Sequence, residues 1–516
     1  MTGLEHSSNA VAMRAGDDGR MNRSLRWGLF TAGVAAALVA GCAAAPSGGT
    51  TTGDAAAARP PNVVFVLTDD LSWNLVQYLP QVRQLQAEGT TFGNYVVTDS
   101  LCCPSRSSIF TGRFPHDTGV YTNGGDDGGF GYFHGHGEES DTFATALQAK
   151  GYRTAMLGKY LNGYQPADHQ GGTEPYVPPG WSEWDVAGNG YPEFGYKLNE
   201  NHQVVPYGSA PADYLTDVLA GKGANFIADS ARAHTPFMLE LATFAPHAPY
   251  TPAPRDAADF PGLTAPRGPA FDTLPTGAPP WLAGRAPLTT AEKTAIDTAY
   301  RKRAQAVQAV SDLIANVRAA VTKAGVADDT YIVFSSDNGY HMGEYRLNPG
   351  KMTAFDTDVR VPLVVAGPGV PAGKENDAAV ANIDLAPTFA QLGRASVPDT
   401  VDGHSLLPLL QGGSDAGWRT ANLVEHHGPD TQADDPDLPA KGSGNPPSYE
   451  AVRTGTYTYV EYVDGSREYY DLTKDPQELH NTAAELGPAR LAQLHDALAR
   501  LANCHNGPAC WTAGHL

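Results

Sequence analysis

Residues 102–112 read CCPSRSSIFTG and hold the densest reactive chemistry of the chain. A thiol at Cys102, a second at Cys103, rigid Pro104, the Ser105 hydroxyl and the Arg106 guanidinium precede a short apolar run able to open a helix. Free cysteines usually behave as small buried hydrophobes, so this stretch alone leaves a structural and a nucleophilic reading open. Other reactive residues recur at one kind of place. The β-branched run 62–68, NVVFVLT, has the pattern of a fully buried strand and ends in Asp69-Asp70. Two adjacent carboxylates there repel each other and lose hydration unless a cation joins them, which favours a metal site at the carboxyl edge of a sheet. An acidic cap on the next segment is the alternative. The run 152–157 leads into Gly158-Lys159, and 237–244 leads to His247, which prolines 246 and 249 hold in an extended loop. The run 331–335 delivers Asp337-Asn338, with His341 and Lys351 beyond it. Asp69, Asp70, Asp337 and Asn338 form an all-oxygen donor set suited to Ca2+ or Mg2+ rather than zinc. Strands ending in Asp-Asp, Gly-Lys, Pro-His and Asp-Asn agree with one shared pocket.

The string Cys-x-Pro-Ser-Arg followed by Thr-Gly resembles the signature of the type I (formylglycine-dependent) sulfatases, and further motifs keep that family's order over residues 61–481. The double cysteine, Gly-Lys-Tyr-Leu-Asn at 158–162 and Asp-Asn-Gly-Tyr-His at 337–341 are similar in particular to N-acetylglucosamine-6-sulfatases and extracellular heparan sulfate endosulfatases. Arg-Val-Pro at 360–362, Asp-Gly-His-Ser at 402–405 and Leu-Thr-Lys-Asp-Pro at 472–476 extend the match. The resemblance implies that a formylglycine-generating enzyme oxidises Cys102 and that Cys103 is the variable position. It implies catalytic roles for Cys102, Arg106, Lys159, His247 and Lys351, with substrate contacts from Lys159, His247, His341 and Lys351. It also implies a metal, Ca2+ or Mg2+, on Asp69, Asp70, Cys102, Asp337 and Asn338. Asn162 stands where many sulfatases carry a histidine. The implied fold is α/β and alkaline-phosphatase-like: a mixed, mainly parallel sheet between helices, with a smaller C-terminal antiparallel α+β subdomain. The implied activity is sulfuric ester hydrolysis on sulfated saccharides, N-acetylglucosamine 6-sulfate foremost. An arylsulfatase, a phosphonate or phosphate monoester hydrolase, and an inactive carbohydrate-binding lipoprotein are the alternatives; the retained Cys102, acidic residues and lysines speak against the last.

The elements that must position these residues follow from periodicity and breakers. Helical spacing covers 141–150, 213–233, 384–392 and a final stretch to Leu501. The longest helical pattern, 288–325, opens Thr-Thr-Ala-Glu and should cover one sheet face. Strands are expected at 361–366, 457–463 and 468–471. The glycine-rich stretch 121–140 reads as a mobile loop, with His134 and His136 as its metal alternative. Stretch 251–287 reads as a surface loop, and the Pro, Asp and Gly stretch 428–448 as a disordered or substrate-facing one.

The chain has 516 residues and a formal charge of −21, an acidic balance that argues against a nucleic-acid partner. It also repels an anionic substrate weakly, but charges are screened over ~8 Å at physiological salt, so local cations must do the binding. Arg23 and Arg26 precede an apolar stretch, 27–41, of fifteen residues, too short for a bilayer span of ~20. It ends Leu-Val-Ala-Gly-Cys, which resembles a bacterial lipobox with Cys42 as the lipidated residue; a plain secretory signal is the alternative. The expected organisation is an export signal with lipobox at 1–42, a flexible tether at 43–59, a catalytic domain at 60–415 and a C-terminal subdomain at 416–516. The product is an exported protein, secreted or held at the cell envelope through a lipid anchor in the membrane. In that oxidising setting Cys504 and Cys510 are expected to form a small-loop disulfide, with a zinc site near His505 as the weaker reading.

Overall fold

The computed structural model describes residues 59–433 and 435–516; the export segment, Cys42 and the tether lie outside the described residues. The buried apolar runs form the centre of a ten-stranded sheet. From edge to edge its strands are Lys374–Asn376, Thr90–Phe92, Leu363–Ala366, Thr330–Ser336, Asn62–Thr68, Phe237–Ala242, Arg153–Lys159, Glu183–Ala187, Lys197–Glu200 and Gln203–Pro206. The five from Thr330–Ser336 to Glu183–Ala187 are adjacent and parallel, so their carboxyl ends share one edge. Antiparallel pairs lie toward both sides.

Side chains alternate across a strand, so a sheet covered on both faces needs strands that are apolar throughout. Val63, Phe65 and Leu67 accordingly join a core with Ile109, Phe110, Phe143 and Phe389. Val64 and Val66 join the opposite core with Leu219, Val307 and Leu313. The Thr290–Lys323 helix lies on this second face beside the Leu215–Arg232 helix. Its start is a capping box: Thr289 Oγ1 accepts from the Glu292 amide at 3.2 Å, and the Glu292 carboxylate accepts from the Thr289 amide at 2.7 Å.

A separate antiparallel sheet is built from Ala421–His426, Tyr449–Thr454, Tyr457–Tyr462 and Arg467–Asp471. Its core includes Leu423, Val452 and Tyr459 and is closed by Leu494, Leu498 and Leu501 of the Pro488–Ala502 helix. Cys504 and Cys510 are joined in a disulfide, their Cα atoms 5.0 Å apart, which removes both thiols as zinc ligands. Among the described residues no helix is long and apolar enough to cross a membrane.

The stretch 121–140 differs from the mobile loop expected of it. It folds into short helical turns, including Gly129–Gly135, because two of its few large residues, Phe130 and Phe133, are core residues. The Phe130 ring packs edge-on against Tyr160 and Tyr164, an anchor that the glycine content conceals.

Candidate active site

Four neighbouring parallel strands end at one place, and each contributes a residue at its carboxyl end or in the loop that follows. Asn62–Thr68 presents Asp69 and Asp70, Thr330–Ser336 presents Asp337 and Asn338, Arg153–Lys159 ends on Lys159, and Phe237–Ala242 leads to His247. Gly158 makes the Lys159 placement feasible: its φ is 107°, and a Cβ there would overlap the Ala242 carbonyl of the next strand. Asp70 adopts φ 63°, a left-handed conformation that Asp tolerates better than most residues. Its amide donates to Asp337 Oδ1 at 3.1 Å, and its carboxylate accepts from Asn338 Nδ2 at 2.7 Å.

Cys102 is the first residue of the fully buried Cys102–Thr111 helix, an N-terminal position that favours negative charge. Its Sγ lies 3.3 Å from Asp69 Oδ1 and 2.8 Å from Lys351 Nζ. Lys159 Nζ donates to Asp69 Oδ2 at 2.6 Å, and Lys351 Nζ to Asp70 Oδ1 at 2.7 Å. Arg106 is tied down from two sides, Nε to Asp337 Oδ2 and Nη1 to the Lys159 carbonyl, each at 2.8 Å. His247 donates through Nδ1 to the Ala248 carbonyl, 2.7 Å away, which leaves Nε2 facing the cluster.

The electrostatics are those of a dry ion-pair network. Burial disfavours the charge on Lys159 and Lys351, but Asp69 for the first, and Asp437 and Asp70 for the second, outweigh it and hold both well above the usual ammonium range. His247 is raised in the same way, burial opposing and Asp70 and Asp437 prevailing. Burial, then Asp437 and Asp69, push the Cys102 thiol up, so the unmodified cysteine is a poor nucleophile. A cation fits the donor set. Ligand atoms of Asp69, Asp70, Cys102 and His247 lie within 4.8 Å of one another, and Asn338 Oδ1 is buried without any hydrogen-bond partner. Asp69 and Asp70, with Cys102 and the open Asn338 Oδ1 beside them, could hold a hard cation; Asp337 borders them, its carboxylate engaged by Arg106 and by the Asp70 and Asn338 amides.

His341 is the exception among the expected substrate contacts. It is fully buried, with Nδ1 3.0 Å from the Asp358 carboxylate and Nε2 2.7 Å from the Ser443 carbonyl. Both ring nitrogens are thus committed to structure, and the ring lies behind Gly350 and Ser443, which line the cavity. Conversely, Asp437 was not singled out by any sequence pattern. This residue of the 428–448 stretch is buried in the cluster, 2.6 Å from His247 Nε2 and 2.8 Å from Lys351 Nζ. Asn123 and Asn162 complete its surroundings. Nothing in a polar Pro, Asp and Gly segment distinguishes one aspartate from its neighbours.

Residues 61–395 match the sulfatase family model, and residues 343–503 match that of the N-sulphoglucosamine sulphohydrolase C-terminal region. This chain belongs to the sulfatase family. It is 36% identical to the human N-acetylglucosamine-6-sulfatase over 88% of this chain and 87% of that one. A Drosophila melanogaster extracellular sulfatase SULF-1 homolog is 34% identical over 72% of this chain and 33% of its own length. Among solved structures, BT4656 in complex with its substrate D-glucosamine-2-N,6-O-disulfate superposes with TM-score 0.66 at 23% identity, covering 86% of this chain and 97% of that one. A phosphonate monoester hydrolase from Silicibacter pomeroyi gives 0.65 at 22% identity, covering 84% and 93%. At those identities the structural likeness shows the shared α/β, alkaline-phosphatase-like fold. The family membership makes this sulfatase a sulfuric ester hydrolase.

Proposed function

We propose that this sulfatase removes sulfate from sulfated sugars, with N-acetylglucosamine 6-sulfate as substrate, outside the cytoplasm and through a formylglycine formed from Cys102. The observation that supports it is the meeting of Cys102, an oxygen-rich acidic set, Lys159, Lys351 and His247 at one point, in a chain that shares nearly its full length with an N-acetylglucosamine-6-sulfatase. Converted to formylglycine by a generating enzyme, position 102 supplies a hydrated aldehyde whose two hydroxyls let sulfate transfer be followed by sulfate release. Asp69, Asp70, Asp337 and Asn338 would hold a Ca2+ or Mg2+ ion, which would supply positive charge to acidify one of those hydroxyls and to neutralise a sulfate oxygen.

The remaining work belongs to the chain. Arg106, fixed by two hydrogen bonds, orients the group at position 102. Lys159 and Lys351, both held charged, clamp sulfate oxygens. His247, whose acidic neighbours favour its charged form, gives a proton to the leaving alcohol; Lys351 is the alternative donor. Export with lipidation at Cys42 would place residues 60–415, the catalytic domain, and 416–516, the C-terminal subdomain, at the cell envelope. The test is sulfate release by the purified protein from N-acetylglucosamine 6-sulfate, set against an aryl sulfate, an aryl phosphate and an aryl phosphonate. Turnover of the sugar sulfate is expected. Turnover of aryl sulfate alone would overturn the substrate, and preference for the phosphonate would overturn its sulfate character. Peptide mass spectrometry across residues 102–106 reads the conversion of Cys102 directly.

A further inference from the structure

Asp437 holds the groups that an ester sulfate needs. Its Oδ1 accepts from His247 Nε2 at 2.6 Å and lies 2.8 Å from Lys351 Nζ. Its Oδ2 accepts from Asn123 Nδ2 at 2.9 Å and from Asn162 Nδ2 at 3.4 Å, and Cys102 Sγ is 3.5 Å away. Donors from four separate stretches of chain thus converge on one carboxylate whose side chain is 3% exposed. Charge-assisted hydrogen bonds of this kind are strong, and a carboxylate presents two anionic oxygens on one atom where an ester sulfate presents three. His247 Nδ1 is already taken by the Ala248 carbonyl, so the ring has only Nε2 to offer a leaving group, and Asp437 occupies it.

The surroundings agree. One cavity of about 370 Å³ is lined by His247, Lys351, Tyr250 and Tyr340, and a second of about 370 Å³ by Asn162, Gln165 and Tyr191. Pro436 borders both, so the segment 435–438 stands between them, directly over the nucleophile. That segment carries no regular secondary structure beyond a turn, and it lies between the strands Ala421–His426 and Tyr449–Thr454.

We propose that Asp437 is an intramolecular mimic of the substrate's sulfate: segment 435–438 closes the site by putting a carboxylate in the sulfate position and withdraws when a sulfate ester enters. The proposal rests on the reading of Lys351 and His247 as sulfate-binding groups. Withdrawal joins the two cavities into one trough across position 102. The closed form lowers apparent affinity by the fraction of molecules that are open, and removing the mimic removes that loss.

Inorganic sulfate binding to the full, Ca2+-loaded protein, read by calorimetry, tests this without relying on turnover. Asp437→Asn and Asp437→Ala are each expected to tighten sulfate binding by roughly tenfold or more. In the wild type, sulfate is expected to speed hydrogen exchange across 428–448. Unchanged or weaker sulfate binding by Asp437→Ala overturns the proposal, as does a loss of Ca2+ affinity in both variants, which would make Asp437 a cation ligand. Lys351→Ala separates the two readings. If it leaves wild-type sulfate binding unaltered, the cluster is not the sulfate site and the proposal falls with it. If it weakens binding while the Asp437 variants bring no gain, only the mimic fails.

Discussion

Cys102 and Cys103 are adjacent yet belong to different environments. Cys102 faces Asp69, Lys351 and Asp437, whereas Cys103 packs in the apolar core with Ile109 and Phe110, its amide donating to Asn123 at 3.1 Å. A serine at 102 has one hydroxyl and so can accept sulfate without a second hydroxyl to expel it. Cys102→Ser is therefore expected to stall as a stable sulfate ester, seen as a mass increase on the peptide spanning residue 102, while Cys103→Ser keeps turnover and loses only stability. His247→Ala should cost far more on N-acetylglucosamine 6-sulfate than on an activated aryl sulfate, because an alkoxide leaves poorly without a positioned acid. The kcat ratio of the two substrates measures this, and equal losses would remove His247 as the acid. Asp69→Ala or Asn338→Ala should lower the rate by roughly 10²–10³, as removal of one preorganised electrostatic group does. Chelation by EDTA should do the same, with recovery on adding Ca2+ or Mg2+. Asp69, Asn338 and His247 were legible in the sequence because each follows an apolar run with strand character, and Cys102 because it opens the Cys-x-Pro-Ser-Arg string. Asp437 was not, because a position in an aperiodic segment gives no sign of where the chain returns in space.

The elements do more than deliver these residues. Arg303 of the Thr290–Lys323 helix is fully buried, donates to the Asp70 carbonyl, reaches the Pro246 carbonyl at 3.5 Å, and lies over the Tyr340 ring at 4.3 Å. One guanidinium on the longest helix thus braces the turns that carry Asp70 and His247. Removing it leaves buried carbonyls without a donor, at about 1–3 kcal/mol for each. Arg303→Leu is expected to lower both the melting temperature and Ca2+ affinity, and Arg303→Lys to recover part of the first but little of the second, since an ammonium lacks the planar fork. A melting curve and a calcium titration check it; normal calcium affinity in Arg303→Leu would show that the brace is structural only. The helix itself was evident from its capping box and its lack of internal glycine or proline. The brace was hidden, because a helical arginine more often reads as a solvated face. Glycine had the opposite effect at 121–140, where Phe130 and Phe133 organise a segment whose composition suggested motion.

Across the whole molecule, the smaller antiparallel sheet is tied to the early part of the chain by contacts that no local pattern announces. The sequence order of motifs made the sulfatase fold readable, but two of the smaller sheet's strands, Ala421–His426 and Tyr449–Thr454, flank the unpatterned stretch and escaped notice. One of them meets the first part of the chain through Glu425, whose carboxylate lies 2.9 Å from His116 Nδ1, while His116 Nε2 lies 2.7 Å from the Cys504 carbonyl. Both partners are acceptors, so both ring nitrogens are satisfied only when each carries a proton. Burial disfavours that imidazolium, yet Glu425, the Cys504 carbonyl and Asp117 outweigh it and raise His116 to about 9. A folded-state pKa above the unfolded value of about 6.5 gives stabilisation that is fully present below about 6.5 and is lost as pH rises through about 9. The shift corresponds to roughly 3 kcal/mol as an order of magnitude. His116→Gln keeps a hydrogen-bonding side chain but no charge. Its melting temperature should therefore fall furthest below the wild type at about pH 6, and the gap should close by about pH 9.5. A gap that stays constant over that range would show that His116 ties the Pro115–Thr118 turn to the smaller sheet as a neutral ring, with no electrostatic lock between them.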